Sequence, residues 1–308
     1  MKQLFSLVFV FTLAFSAFAQ KPKSKDDLYK EIGTLMLTKK PEDMAKAYPL
    51  AKEFLERFGK DDKDEKVKGM RSFVVRYREH EFLTALDANK YDVAFPLGKE
   101  ILAEQPDNVE VLLNLGYAGY TAMSAGNKGY ADESVGYAKK TLRLMDAGTL
   151  PRTFVPFKDK EETMAFMYFA VGNMLLEKDK KEAVSNIYKA MQYESKIKTN
   201  SAAYFLIAAY YEDTYTALAT ELKSKTDSKK ASDAELNALS ARVAKVIDQM
   251  LDAYARSVSF AEADKNPDAA GWKTRLAQVY KYVKKTDSGL TEFIAQVTST
   301  PMNDPAKY

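Results

Sequence analysis

The chain has 308 residues, of which 46% are hydrophobic and 29% are charged, a composition typical of a globular protein. Lys and Arg together number 46 against 43 Asp and Glu, so the net charge of +3 gives no basic excess of the kind that nucleic-acid-binding proteins carry. The absence of Cys excludes disulfides, thiol nucleophiles and Cys-ligated metals, and the single His excludes a multi-histidine metal site.

The first twenty residues have the pattern of a secretory signal peptide. Lys2 supplies a short positive region, and an almost unbroken apolar run follows over residues 4–15. Ala17-Phe18-Ala19 then matches the small-x-small sequence that a signal peptidase cleaves. Because the apolar run is shorter than the roughly 20 residues that span a bilayer, we expect cleavage rather than anchoring. The sequence therefore predicts an exported protein, periplasmic or secreted, whose mature chain begins at Gln20.

Along the rest of the chain, apolar residues recur with helical periodicity, and no segment alternates with a period of two. Helix starts are indicated by Pro41 and Asn108, and a helix end by Gly126. We count about twelve helices, arranged in pairs. Two segments depart from the pattern and are expected to be inserted loops: the Pro-containing residues 149–157 and the Lys-, Ser- and Asp-rich residues 223–233.

Two patterns repeat among the helices. In the first helix of each pair a small residue lies between large ones, where it allows a neighbouring helix to approach closely. The copies are Tyr29-x2-Ile32-Gly33-x2-Met36, Leu112-x2-Leu115-Gly116, Tyr168-x2-Val171-Gly172-x2-Leu175 and Tyr204-x2-Ile207-Ala208-x2-Tyr211. In the second helices, Ala47-Tyr48-Pro49-Leu50-Ala51-Lys52-Glu53 matches Ala94-Phe95-Pro96-Leu97-Gly98-Lys99-Glu100.

These patterns resemble the tetratricopeptide repeat (TPR) family, whose copies carry a large residue before Leu-Gly in the first helix and Ala in the second. The resemblance covers nearly all of the chain after the signal peptide, in about six copies. It implies an all-α fold, an α-solenoid of about six antiparallel helix pairs coiled into a right-handed superhelix, as one domain over residues 20–308. A different α-solenoid is the alternative, because any stacked helical array needs small residues at close contacts.

The sequence carries no recognisable catalytic motif. His80 lies between Glu79 and Glu81 and has no second His with which to bind a metal. The acidic residues 61–65 lack the Gly and the twelfth-position Glu of a calcium loop. Phosphate-loop, G-x-S-x-G and H-E-x-x-H motifs are absent as well. We therefore expect a chain that is not an enzyme and that has neither a cofactor nor a metal site.

Aromatic residues are abundant, with 19 Tyr and 17 Phe. Three successive first helices carry apolar and aromatic side chains on a face that is rotated away from the stacking face. In the TPR family this face lines the concave groove that holds partner peptides. The candidate groove residues are Leu113, Tyr117, Tyr120, Phe166, Phe169, Asn173 and Phe205. The alternative is that the helices curl tightly and bury these side chains against each other.

The sequence thus favours a non-catalytic scaffold of the bacterial cell envelope that holds another protein or a peptide segment in this groove. A periplasmic binding protein for a small or polymeric ligand such as a glycan is the alternative, because Tyr and Trp rings can stack on sugars. We expect neither a nucleic-acid partner nor insertion into a membrane.

Overall fold

The computed structural model describes residues 22–305, so the predicted signal peptide, residues 1–19, lies outside the described part of the chain. Over the described residues the structure is helical and contains no β-strand, which confirms the predicted all-α class there. The α-helices in this range are α1 (Lys25–Leu37), α2 (Pro41–Phe58), α3 (Glu65–Asp87), α4 (Tyr91–Glu104), α5 (Val109–Ser124), α6 (Ala131–Asp146), α7 (Lys160–Leu175), α8 (Lys180–Ala190), α9 (Ser201–Ser228), α10 (Asp233–Ala263), α11 (Ala269–Lys284) and α12 (Leu290–Thr298).

The helix boundaries follow the local signals in the sequence. Pro41 is the first residue of α2, where its missing N–H group is not needed. Asn108 caps α5, since its side-chain oxygen accepts a hydrogen bond of 3.1 Å from the Val111 N–H group. Gly126 follows the end of α5 with a φ of +92°, a left-handed conformation that glycine adopts without strain. The predicted boundaries at these three residues are confirmed.

Of the two predicted insertions, residues 149–157 lie outside helices, between the end of α6 and the start of α7. The prediction of a loop over residues 223–233 is wrong, because α9 continues to Ser228 and α10 begins at Asp233. The polar composition belongs to the solvent-exposed end of a long helix, on which Glu221 pairs with Lys225 one turn later at 3.1 Å. Only residues 229–232 connect the two helices.

The described residues divide after Glu81 into two compact units. The first comprises α1, α2 and most of α3, and its core includes the fully buried side chains of Leu28, Ile32 and Phe54. The boundary falls inside α3, so no linker sequence separates the two units.

In the second unit, helices that follow one another in sequence pack on each other, as α5 on α6, α6 on α7, α7 on α8 and α9 on α10. Helix α5 also packs on α7, so the first helices of two successive predicted pairs are adjacent. Small residues allow these approaches: a β-carbon added to Gly116 would lie 3.1 Å from the Ala138 Cβ atom. Among the helices of residues 22–305, none combines the length and apolar character that crossing a bilayer requires.

Candidate functional site

Five rings from α5, α7 and the loop before α7 form one contiguous group, which we call the aromatic cluster. Its members are Tyr117, Tyr120, Phe157, Phe166 and Phe169. The Phe166 ring is central, with its centroid 5.4 Å from that of Tyr117 and 5.2 Å from that of Tyr120. The loop residue Phe157 lies 4.9 Å from Phe166, and Phe169 joins the cluster through Tyr120 at 6.1 Å.

The helical repeat explains why these rings meet. Tyr117 and Tyr120 are three residues apart on α5, as are Phe166 and Phe169 on α7, so each pair lies on one face of its helix. Because α5 packs on α7, the two faces come together. The planes of Tyr120 and Phe166 are 88° apart, an edge-to-face arrangement in which the positive edge of one ring contacts the negative face of the other.

All five side chains of the aromatic cluster are half-buried: each packs against buried core residues on one side and keeps part of its surface in solvent. Leu113 differs from them. It is 1% exposed and packs in the core with Met164 and Met167, so the prediction that it lines a groove is corrected. Leu113 lies four residues before Tyr117 and faces into the α5–α7 contact, where solvent does not reach.

A cleft of about 410 Å³ lies beside the aromatic cluster and includes the predicted groove residue Asn173. The half-buried Asn173 side chain donates a hydrogen bond of 2.9 Å to the carbonyl oxygen of Phe169, four residues earlier on α7. The cleft therefore adjoins the aromatic cluster. Met123 and Met174 supply apolar lining, and both pack in the small core that Tyr120 and Phe166 also contact. Methionine side chains adapt their shape readily, a property suited to a surface that accommodates a partner.

Two ion pairs cross the rim of this cleft. Lys128 pairs with Glu177 at 2.7 Å, and Lys178 pairs with Asp132. The hydrogen bond from Lys128 and its positive charge hold the pKa of Glu177 below its ordinary value. All four side chains are largely exposed, and exposed pairs of this kind contribute little to stability because solvent and salt screen them. The rim can therefore rearrange at low cost.

The predicted groove residue Phe205 has different neighbours. Its ring stacks on Trp272 with centroids 4.6 Å apart and planes 14° apart, and it contacts the Tyr254 ring edge-on at 6.1 Å. Next to it, Glu212 accepts a hydrogen bond of 2.5 Å from the Tyr254 hydroxyl and pairs with Arg275. Phe205 is thus half-buried in a contact between α9, α10 and α11, and it packs against the same hydrophobic core as Phe169 of the aromatic cluster.

Sequence reasoning missed Phe157, because the helical register that selects the other rings does not extend into a loop. A signal was present: Gly116 and Gly172 are 56 residues apart, whereas a TPR copy has about 34 residues. The extra length includes the loop that carries Phe157.

The second unit also has a polar cavity. This cavity of about 660 Å³ lies between α6, α7 and α8 and is lined mainly by charged side chains such as Arg143, Asp146 and Lys189. It contains none of the predicted groove residues. Over residues 22–305, no group of three or more His, Cys, Asp or Glu side chains is arranged to hold a metal ion. Comparison of the chain with protein-family models, with curated proteins and with solved structures finds no match.

Proposed function

We propose that this chain is a non-catalytic interaction scaffold of the bacterial cell envelope, exported after cleavage behind Ala19. In this proposal the helices form a TPR-like solenoid of about six pairs, and the chain holds an apolar segment of a partner protein against the aromatic cluster.

One observation carries the proposal: the five rings of the aromatic cluster are half-buried and contiguous. Large rings that are held in place by a core contact but keep exposed surface are the type of side chain that dominates protein–protein binding energies. The adjacent cleft with Met123 and Met174 extends the apolar surface, and its weak rim pairs can open for a partner side chain.

Two features of the packing support the TPR-like arrangement. Helix α5 packs on both α6 and α7, as the first helix of one stacked pair does with its own partner and with the next pair. Small residues lie at these close contacts, with Gly116 facing Ala138 and Gly172 facing Ile187. The glycan alternative is less favoured, because the single Trp272 already stacks face to face on Phe205.

The proposal is tested by affinity purification from an envelope extract with four forms of the mature chain. These are the wild type, Phe169→Ala, Tyr120→Ala and the control Tyr282→Ala, which removes a ring that is 63% exposed and outside the aromatic cluster. We expect a stoichiometric protein partner with the wild type and with the control. Loss of an anchor at an interface typically costs about 2 kcal/mol, so the two cluster variants should bind the partner about 30-fold more weakly.

A partner that binds all four forms equally would place the interface elsewhere and contradict the proposal. Circular dichroism of each variant establishes that a loss of binding does not reflect unfolding.

A further inference from the structure

After α12 ends at Thr298, the chain leaves α-helical structure and returns across α8, α9 and α10. We call residues 299–305, which make this passage, the tail. The Tyr188 hydroxyl of α8 donates a hydrogen bond of 3.2 Å to the carbonyl oxygen of Met302. Residues 300–304 face Tyr211 of α9 and several side chains of α10 across a common cavity. The tail thus lies on the surface of three helices without belonging to any of them.

Apolar contacts anchor the tail at two points. The half-buried Met302 side chain packs against the core to which α9, α10 and α11 contribute, and Pro305 is buried at the far end of the tail. Burial and the negative charge of Asp304 raise the pKa of the Tyr188 hydroxyl, so this carboxylate lies close to the ring that binds the Met302 carbonyl group. A bound peptide is commonly held in the same way, by an anchoring side chain and by polar contacts to its backbone.

The tail covers the helices beneath it without filling the space. A cavity of about 420 Å³ remains between residues 300–304 and the side chains of Tyr211, Lys245 and Asp248. Protein interiors are close-packed, and voids larger than a water molecule are few. A segment that served only to complete the core would pack down onto α9 and α10. The loose fit therefore indicates an occupant that can leave.

Two prolines bracket the part of the tail that contacts the helices. Proline has a fixed φ and no N–H group, so neither Pro301 nor Pro305 can continue a helix. A backbone that is restricted in this way loses less conformational entropy when it binds. Residues 301–305, Pro-Met-Asn-Asp-Pro, thus combine a stiff backbone with one apolar anchor and one carboxylate.

We propose that the surface beneath the tail, which we call the tail groove, binds an extended peptide of a partner protein, and that the tail occupies this groove as an intramolecular competitor. The tail groove comprises Tyr188, Tyr211, Lys245, Asp248 and Gln249. The partner peptide has the chemistry of the occupant that it displaces: an apolar side chain at the place of Met302, a carboxylate two residues later, and flanking prolines. The tail groove and the aromatic cluster share no residue, so this proposal does not depend on the function proposed for that cluster.

The test is fluorescence anisotropy with a labelled synthetic peptide of residues 299–305 and three forms of the mature full chain. Met302→Asp replaces the apolar anchor with a charge and should release the tail from the tail groove. Asn303→Asp is the matched control, because it adds the same charge at an exposed neighbouring residue and keeps the anchor. A short tether gives an effective concentration on the order of millimolar, so a tail with a dissociation constant of about 0.1 mM opposes a free peptide roughly tenfold. We therefore expect saturable binding to Met302→Asp, and about tenfold weaker binding to the wild type and to Asn303→Asp.

Further variants assign the binding to the tail groove. A peptide that carries Asp in place of Met302 lacks the apolar anchor and should bind the Met302→Asp chain at least tenfold more weakly than the natural peptide does. Adding Tyr188→Phe to the Met302→Asp chain removes the hydrogen-bond donor but keeps the ring, and it should weaken peptide binding at least threefold. Adding Tyr282→Phe instead removes a hydroxyl from an exposed ring outside the tail groove, and it should leave binding unchanged.

A folded Met302→Asp chain that does not bind the peptide at millimolar concentration would overturn the proposal, as would equal binding by Met302→Asp and the wild type. Thermal unfolding gives a readout that does not depend on binding. A displaceable tail contributes little to the fold, so Met302→Asp should melt within about 4 °C of the wild type. A Met302→Asp chain that is unfolded would show that the tail is part of the core and would overturn the proposal. A concentration-dependent wild-type dimer in analytical ultracentrifugation would overturn the assignment to a partner, because it would show that tails exchange between copies.

Discussion

Gly172 on α7 lies so close to Ile187 on α8 that a β-carbon added to the glycine would come within 2.6 Å of the Ile187 Cγ1 atom. The same β-carbon would lie 2.8 Å from the carbonyl oxygen of Ala183. Both distances are shorter than a van der Waals contact, and the second involves backbone that cannot rotate away. Helices α7 and α8 therefore pack at a separation that only glycine permits at this position.

This geometry predicts that Gly172→Ala destabilises the protein by about 1–3 kcal/mol. The sign of this change in the free energy of unfolding is informative. Without a close contact, Gly→Ala inside a helix stabilises the helix by about 0.5–1 kcal/mol through backbone entropy. The free energy of unfolding is measured by urea denaturation.

Gly136→Ala is the matched control for this substitution. Gly136 lies inside α6, and a β-carbon there would meet nothing within 4 Å, so this variant should gain up to about 1 kcal/mol. If Gly172→Ala were as stable as Gly136→Ala, the α7–α8 separation described above would be wrong.

The small-residue pattern in the sequence predicts these contacts unevenly. It succeeds at Gly116 and Gly172, where both glycines face a neighbouring helix. It fails at Gly33, which occupies the same place in the pattern, because a β-carbon added there would meet nothing within 4 Å. The pattern records which residue is small, whereas a close contact also requires a helix opposite it, and the sequence of α1 alone does not specify that neighbour.

The candidate site shows a similar limit. Helical register correctly groups Tyr117, Tyr120, Phe166 and Phe169, because spacings of three residues fix one face of a helix. The depth of each side chain depends on the packing between helices, so register alone does not separate the buried Leu113 from its half-buried neighbours.

Phe169→Ala distinguishes an anchor from a core residue. Truncating a fully buried Phe to Ala lowers the free energy of unfolding by about 3–5 kcal/mol. Because Phe169 is only half-buried, its truncation should lower it by about 1.5–2.5 kcal/mol. Phe95→Ala is the control, because Phe95 is 1% exposed and should show the full loss. Both values come from urea denaturation. Equal losses for the two variants would mean that Phe169 is a core residue and would remove it from the proposed interface.

Processing of the N-terminus can be tested by mass spectrometry. We expect the exported protein to lack residues 1–19 and to begin at Gln20, because Ala17-Phe18-Ala19 presents small residues at the two positions that signal peptidase recognises. The intact mass of protein from the periplasmic fraction gives the answer directly. Recovery of the full-length chain with Met1 in the membrane fraction would contradict cleavage.

Ionisation of the Glu212 carboxylate, in the contact between α9, α10 and α11, should make the stability of the protein depend on pH. Burial alone raises the pKa of Glu212, but the hydrogen bonds from Arg275 and Tyr254 outweigh it and hold the pKa below its ordinary value of 4.5. A lowered pKa means that the folded state favours the ionised form. The resulting stabilisation is complete above pH 4.5 and is lost as the pH falls through the lowered pKa.

Glu212→Gln removes this charge while keeping the size of the side chain. At pH 7 we expect a loss of about 1 kcal/mol, because one charge-assisted contact with a partly exposed partner is replaced by a neutral one. The difference from the wild type should shrink as the pH falls from 4.5 through the lowered pKa, below which the folded wild type carries a protonated Glu212 as well. Urea denaturation between pH 7 and pH 3 measures this difference in the free energy of unfolding.

Glu221→Gln, which removes a surface pair on the same helix, is the control and should cost only about 0.3–0.5 kcal/mol at pH 7. A Glu212→Gln difference that stays constant down to pH 3 would show that the ionised carboxylate contributes nothing to the contact between these three helices.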